Sequence, residues 1–148
     1  MLNLPPPIWA LIYLVAAACV SWLTGWPTFP GAHLVPLGIV LTVGGFAPTL
    51  WAATLFRREG TEIKPTSATN AKLVIRGPYA FTRNPMYLGL VIISLGIAFW
   101  VGAIWMFAAP VLTFATANWV HIPFEEAKMR RQFGAAFDDY TRKIRRWV

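Results

Sequence analysis

No Asp, Glu, Lys or Arg occurs between Met1 and Phe56, and none again between Asn84 and Phe124. Such runs exclude an ordinary soluble domain, in which about a quarter of the residues are charged; here 13% are charged and 57% hydrophobic. Each run is too long for a buried strand or a core helix, and each holds two membrane spans of roughly 20 residues. Cysteine is nearly missing too. Cys19 stands alone, so no internal disulfide can form and the redox compartment is left open. With one cysteine, and with His33 and His121 far apart in the chain, no metal site is expected. No Lys or Arg precedes the first apolar run, which argues against a cleaved signal peptide and for an uncleaved first helix. There is no nucleotide-binding glycine loop, internal repeat or low-complexity tract. At 148 residues the chain reads as one domain over 1–148.

All 13 Lys and Arg lie in two places, Arg57–Arg83 and Lys128–Arg146, and with Glu125-Glu126 between them the net charge is +7. Basic residues flanking apolar spans face the cytoplasm and anionic lipid, so membrane and lipid are the expected partners and nucleic acid is not. Pro5-Pro6-Pro7 delays a first span, placed at 8–23; the turn over Thr24–Pro36 has three prolines, two glycines and no formal charge. A second span at 37–56 contains Gly44-Gly45 and Pro48, read either as a packing kink or as a bend that makes room for a ligand. After a polar loop at 57–84, spans at 85–100 and 103–122 form a hairpin that reverses at Trp100-Val101-Gly102. Both termini then lie in the cytoplasm, and short loops favour a bacterial or archaeal cell membrane. The tail at 123–148 has Phe133, Phe137, Tyr140, Ile144 and Trp147 at helical spacing between basic residues. That pattern suits an amphipathic helix lying on the membrane or folded under the bundle, broken at Gly134. The fold class expected is an all-α integral membrane protein of four transmembrane helices with a C-terminal amphipathic helix.

The candidate chemistry sits at the polar edges of these spans. Asn84-Pro85 has the form of a helix start, Asn as N-cap and Pro as first residue. Free backbone N–H groups there would attract a carboxylate or phosphate, with Arg83 beside them and Tyr87 one turn on. Gly77-Pro78-Tyr79 makes a tight turn where backbone can approach a flat ligand. Glu125-Glu126 follows Pro123, again in a first helical turn, where acidic residues are favoured for purely structural reasons as well. Two adjacent carboxylates at the end of a span need pairing or solvation, and they can accept from hydroxyls or an ammonium group. His121 precedes them by about one turn as a candidate base or donor. Cation, carboxylate pair and helix start together suit a zwitterionic ligand such as an amino acid joined to a nucleoside.

The ordered set Gly77-Pro78-Tyr79, Arg83-Asn84-Pro85-Met86-Tyr87-Leu88-Gly89, Glu125-Glu126, Phe133-Gly134 and Tyr140 resembles the isoprenylcysteine carboxyl methyltransferase and phospholipid methyltransferase superfamily. The resemblance covers about Leu73–Trp147. It implies a membrane enzyme that takes S-adenosylmethionine from the cytoplasm and a lipophilic acceptor from the bilayer, releasing S-adenosylhomocysteine. By position, it implies Gly77, Pro78 and Tyr79 near the adenosine, Asn84, Pro85 and Tyr87 near the methionine portion, and Glu125 and Glu126 near the cofactor's polar groups. Glu126, Arg83 and His121 are the candidate catalytic residues. Many members have His where this chain has Asn84; Asn can hydrogen-bond but cannot serve as a base near neutral pH. The acceptor, a phospholipid amine or an isoprenylcysteine-like carboxylate ahead of a small thiol, is undecided by the sequence. The alternative is a non-catalytic membrane protein that keeps the fold for lipid binding or assembly; a channel or transporter has no supporting feature.

Overall fold

The computed structural model describes residues 4–60 and 72–148, and over these the chain is helical with no strand. Part of the expected 57–84 loop lies outside the described residues. Prolines open most of the long helices: α1 (Pro6–Leu23), α2 (Val35–Glu59) and α3 (Pro85–Val101) each have one in the first two positions, where the missing N–H costs nothing. α2 is longer than expected, and Pro48 lies inside it without ending it.

The α2–α3 pair explains the glycines. Gly38 and Gly45 on α2 lie against Gly96 and Gly89 on α3, in two rows spaced seven residues apart. A Cβ on Gly38 would come within 2.6 Å of the Trp100 backbone nitrogen, and one on Gly45 within 2.8 Å of the Gly89 carbonyl oxygen. Small residues that let backbones touch are how apolar helices associate without a hydrophobic driving force. Gly45 is therefore a packing residue, and Gly44 faces open space.

Gly102 ends α3 in the left-handed region (φ +76), its N–H bonded to the Ala98 carbonyl at 2.8 Å. The reversal falls where the sequence places it. The 24–34 turn is stitched to it by Leu34 N–H to Phe99 O at 3.0 Å and Ile104 N–H to Pro27 O at 2.8 Å.

The rod that follows, over the stretch expected as a span at 103–122, is built of several helical pieces. It begins with a 3-10 turn (Ile104–Phe107), continues as α4 (Ala108–Thr116), widens into a π turn (Ala117–His121) and runs on as α5 (Ile122–Phe133). His121 and Ile122 are themselves helical, so Glu125-Glu126 do not sit at a free helix start. Pro123 fits near the start of α5 because the π turn already alters the hydrogen-bond ladder there. Small side chains of α1, α3 and the rod (Ala17, Ala98, Ala109) with Met106 form the core between them, and Tyr13 reaches Thr116 in a hydroxyl pair at 2.7 Å.

The tail is also different. Gly134 (φ +52) does break it, but the helix beyond, α6 (Ala135–Lys143), stops before two members of the expected stripe. Phe137 and Tyr140 are buried, while Ile144–Trp147 form a non-helical strap that runs back across the start of α3.

Among the described residues two helices, α1 and α2, are long and apolar enough to cross a membrane; α3, with 17 residues, is shorter. Only 17% of the α1 window and 11% of the α2 window is buried inside the chain. Leu11, Val15 and Leu23 on α1 and Val40, Val43 and Leu50 on α2 face outward. Apolar surface on this scale calls for a bilayer to cover it.

Candidate active site

The site forms where four segments meet: the turn before α3, the first turn of α3, the π turn with the start of α5, and the strap. Gly77–Ala80 makes one 3-10 turn with Gly77 at φ +63. A Cβ on Gly77 would meet Leu55 Cδ2 at 3.1 Å, so this glycine packs the turn onto α2. Tyr79 is buried, with its ring edge-on to Phe56 at 5.3 Å, and its carbonyl accepts the Tyr140 hydroxyl at 2.7 Å.

Asn84 precedes α3 as expected but makes no side-chain cap. The Asn84 N–H is instead taken by Thr82 Oγ1 at 3.2 Å, the short turn a threonine forms with the residue two ahead. The Asn84 amide donates to the Arg146 carbonyl at 2.9 Å, and Thr82 Oγ1 donates to the same oxygen at 3.1 Å. Arg83 N–H donates to the Arg145 carbonyl at 3.0 Å. The anion site expected beside Asn84 is thus crossed by strap carbonyls. Pro85 is fully buried at the helix start, a packing position.

One turn on, the Tyr87 hydroxyl donates to Glu125 Oε1 at 2.6 Å, and this bond joins two positions 38 residues apart. Burial, reinforced by neighbouring Glu126, pushes the Glu125 carboxyl up to about 7, against the downward pull of Tyr87 and Lys128. Burial, with the charge of Glu125 second, also raises the Tyr79 phenol well above its ordinary value. His121 is 2% exposed and stacks on Tyr87 (6.1 Å between ring centres, 24° between planes); its Nε2 is buried and has no hydrogen-bond partner among the described residues.

Glu126 is differently engaged. Arg83 Nη2 reaches its Oε1 at 2.9 Å, and Arg146 grips both oxygens, at 3.2 Å through Nε and 2.7 Å through Nη2. Arg83 also donates to the Thr141 carbonyl at 3.2 Å, and its buried Nε has no partner among the described residues. Tyr79, Arg83, Asn84, Tyr87, His121 and both glutamates therefore belong to one neighbourhood, as the sequence suggested, while Gly77, Pro78 and Pro85 shape its walls. Sequence reasoning missed Thr82, Asn118 and Arg146. A threonine two residues before Asn-Pro is a readable turn signal; Arg146, one arginine in a basic run, carries none.

Apolar helices that carry a tyrosine–carboxylate pair and a doubly paired glutamate describe a helical membrane protein with a polar cluster among its helices. The phospholipid methyltransferase family model matches residues 34–136, more than half of the chain, and the chain belongs to that family. Membership makes it a membrane methyltransferase of lipid-type substrates. Neither a curated protein nor a solved structure matches it.

Proposed function

We propose that the protein transfers a methyl group from S-adenosylmethionine to the amine of a phospholipid, at a site on the cytoplasmic side of the membrane. The observation that carries this is the Tyr87–Glu125 hydrogen bond inside the family's matched region. In the same reading residues 1–148 form one domain, α3 and the rod through α4 complete four spans, and both termini face the cytoplasm. Arg57 and Arg58 at the end of α2, with the basic residues of α5 and α6, favour that orientation.

The residues present fit the cofactor. Glu125 is a partly buried carboxylate with no arginine on it, suited to a cationic group. Among the described residues, neither the Arg83 Nε donor nor His121 Nε2 has a hydrogen-bond partner. Tyr79, Tyr87 and Glu125 would hold the cofactor, and Arg83 its carboxylate. Bound there, the cofactor supplies a methyl group on a positively charged sulfur.

The chain's own part is to bind, align and exclude water; alignment alone is worth roughly 7–11 kcal/mol of barrier. A lipid ammonium must lose a proton before it can act as a nucleophile. Glu125, titrating near neutrality, and His121, whose Nε2 meets no partner among the described residues, are the groups able to accept it. Asn84 takes no such role, since its amide holds the strap. Glu126, neutralised by two arginines, acts as a brace in this reading rather than as a base.

Calorimetric titration of S-adenosylhomocysteine into the protein in lipid nanodiscs tests the cofactor, and radiolabelled methyl transfer into vesicles of phosphatidylethanolamine tests the acceptor. Saturable binding, weakened but measurable in Glu125→Gln, with label in the lipid amine, is expected. No binding by folded wild type would return the chain to a lipid-binding or assembly role, and label in an isoprenylcysteine ester would move the acceptor to a carboxylate.

A further inference from the structure

We propose that Arg146, Asn118 and Trp147 are positioning residues for methyl transfer, fixing the start of α3 against the start of α5 so that Tyr87 and Glu125 meet. This rests on the reading of Tyr87 and Glu125 as the cofactor-holding pair. Residues 144–147 form the strap, and almost every polar contact it makes ends beside that pair. Its carbonyls take the Arg83 N–H, the Asn84 amide and the Thr82 hydroxyl, all within the three residues before α3. The Arg146 guanidinium turns the other way and grips Glu126, the neighbour of Glu125. One residue of the strap thus binds the α3 entry through its backbone and the α5 entry through its side chain.

Asn118 and Trp147 lock that bridge. Asn118 Oδ1 accepts Trp147 Nε1–H at 3.0 Å and, at the long distance of 3.5 Å, Arg146 Nη1. Asn118 lies in the π turn, the one widened stretch of the rod, and such turns commonly redirect side chains at functional sites. The Trp147 indole packs at 4.8 Å from the Phe114 ring and against the cluster of Tyr87, Ala117 and Ile122. A side chain that touches Tyr87's cluster and a guanidinium that holds Glu125's neighbour bear on the same hydrogen bond from two sides. The bidentate fork of Arg146 specifies direction as well as charge, which a lysine cannot reproduce.

The test uses Arg146→Gln, Arg146→Lys and Trp147→Phe in the full chain in nanodiscs. The readouts are S-adenosylhomocysteine affinity from pH 5.5 to 8.5, turnover, and the melting temperature. The groups around Glu125 are Tyr87 from α3, Glu126 and Lys128 from α5, and Tyr79 from the turn before α3. Removing the Arg146 charge leaves Glu126 less compensated, so the pH midpoint of binding should move upward in Arg146→Gln and return in Arg146→Lys. Turnover should fall in both, by about a hundredfold for a displacement on the order of 1 Å. Trp147→Phe keeps the packing and loses one hydrogen bond, so it carries the test if Arg146→Gln does not fold; a loss of turnover larger than its loss of binding is expected. Wild-type affinity, midpoint and turnover in these variants, with only a lowered melting temperature, would overturn the proposal and leave the strap a structural fastening. Unchanged binding in Glu125→Gln would instead overturn the reading beneath it.

Discussion

Tyr87 and Glu125 are hydrogen-bonded at 2.6 Å across the junction of α3 with the rod, and Glu126, the next residue, faces two arginines instead. Adjacent carboxylates therefore live in opposite electrostatic settings. One is compensated by full charges; the other is held by a neutral hydroxyl and remains available to a cation. That difference supports distinct consequences for substitution at each.

Tyr87→Phe should keep the fold and lose the bond to Glu125. A hydrogen bond to a charged group contributes about 1.5–3 kcal/mol, roughly a tenfold to a hundredfold loss of affinity for S-adenosylhomocysteine if it is needed to aim the carboxylate. Because Tyr87 pulls the Glu125 carboxyl down, its removal should also move the pH midpoint of binding upward. Unchanged affinity and midpoint in calorimetry would remove Tyr87 from the site.

The pH dependence of Glu125 has a definite sign. Its carboxyl is raised from the ordinary 4.5 to about 7, so the folded protein binds the extra proton between those values. Its contribution to stability is full below about 4.5 and is lost as pH rises through 7. Affinity for a cationic ligand moves the other way and should strengthen from pH 6 to 8 as the carboxylate ionises. In Glu125→Gln both slopes should disappear; a binding slope that persists in that variant would assign it to another group.

The neighbouring glycines of α2 make a paired test of packing. Gly45→Ala places a Cβ 2.8 Å from the Gly89 carbonyl, and overpacking of this kind costs about 1–3 kcal/mol. Gly44→Ala meets nothing within 4 Å and should be neutral or stabilising, since alanine is the better helix former. Thermal unfolding in detergent reads both. Equal effects would mean that the α2–α3 contact is not the close one described.

Tyr140→Phe removes the donor to the buried Tyr79 carbonyl. Leaving a buried carbonyl unmet costs about 1–3 kcal/mol, and the cost should fall on the 77–80 turn. Faster hydrogen exchange at Tyr79–Thr82, with α1 unaffected, is the expected signature in exchange mass spectrometry.

Much of this was legible in the chain. The absence of charge over 1–56 and 84–124 dictates helices, because backbone in a bilayer must bond within its own segment. Gly102 at the reversal and the prolines at helix starts follow from local backbone geometry, and the gathering of Tyr87, Arg83 and the two glutamates follows the resemblance. What did not follow is how those residues are used. Asn84 looked like a cap because Asn caps are common, yet its side chain makes no cap bond and donates to the strap instead. Ile144 and Trp147 fitted a helical stripe, but hydrogen bonds to Arg83, Asn84 and Asn118 tie that stretch down outside any helix. Local propensity and periodicity act over a few residues, and they determined where this chain is helical and where its polar residues gather. Which carboxylate is neutralised depends on pairings 20 and 43 positions away in the chain, Arg146 and Arg83 to Glu126, and only the tertiary structure decided them.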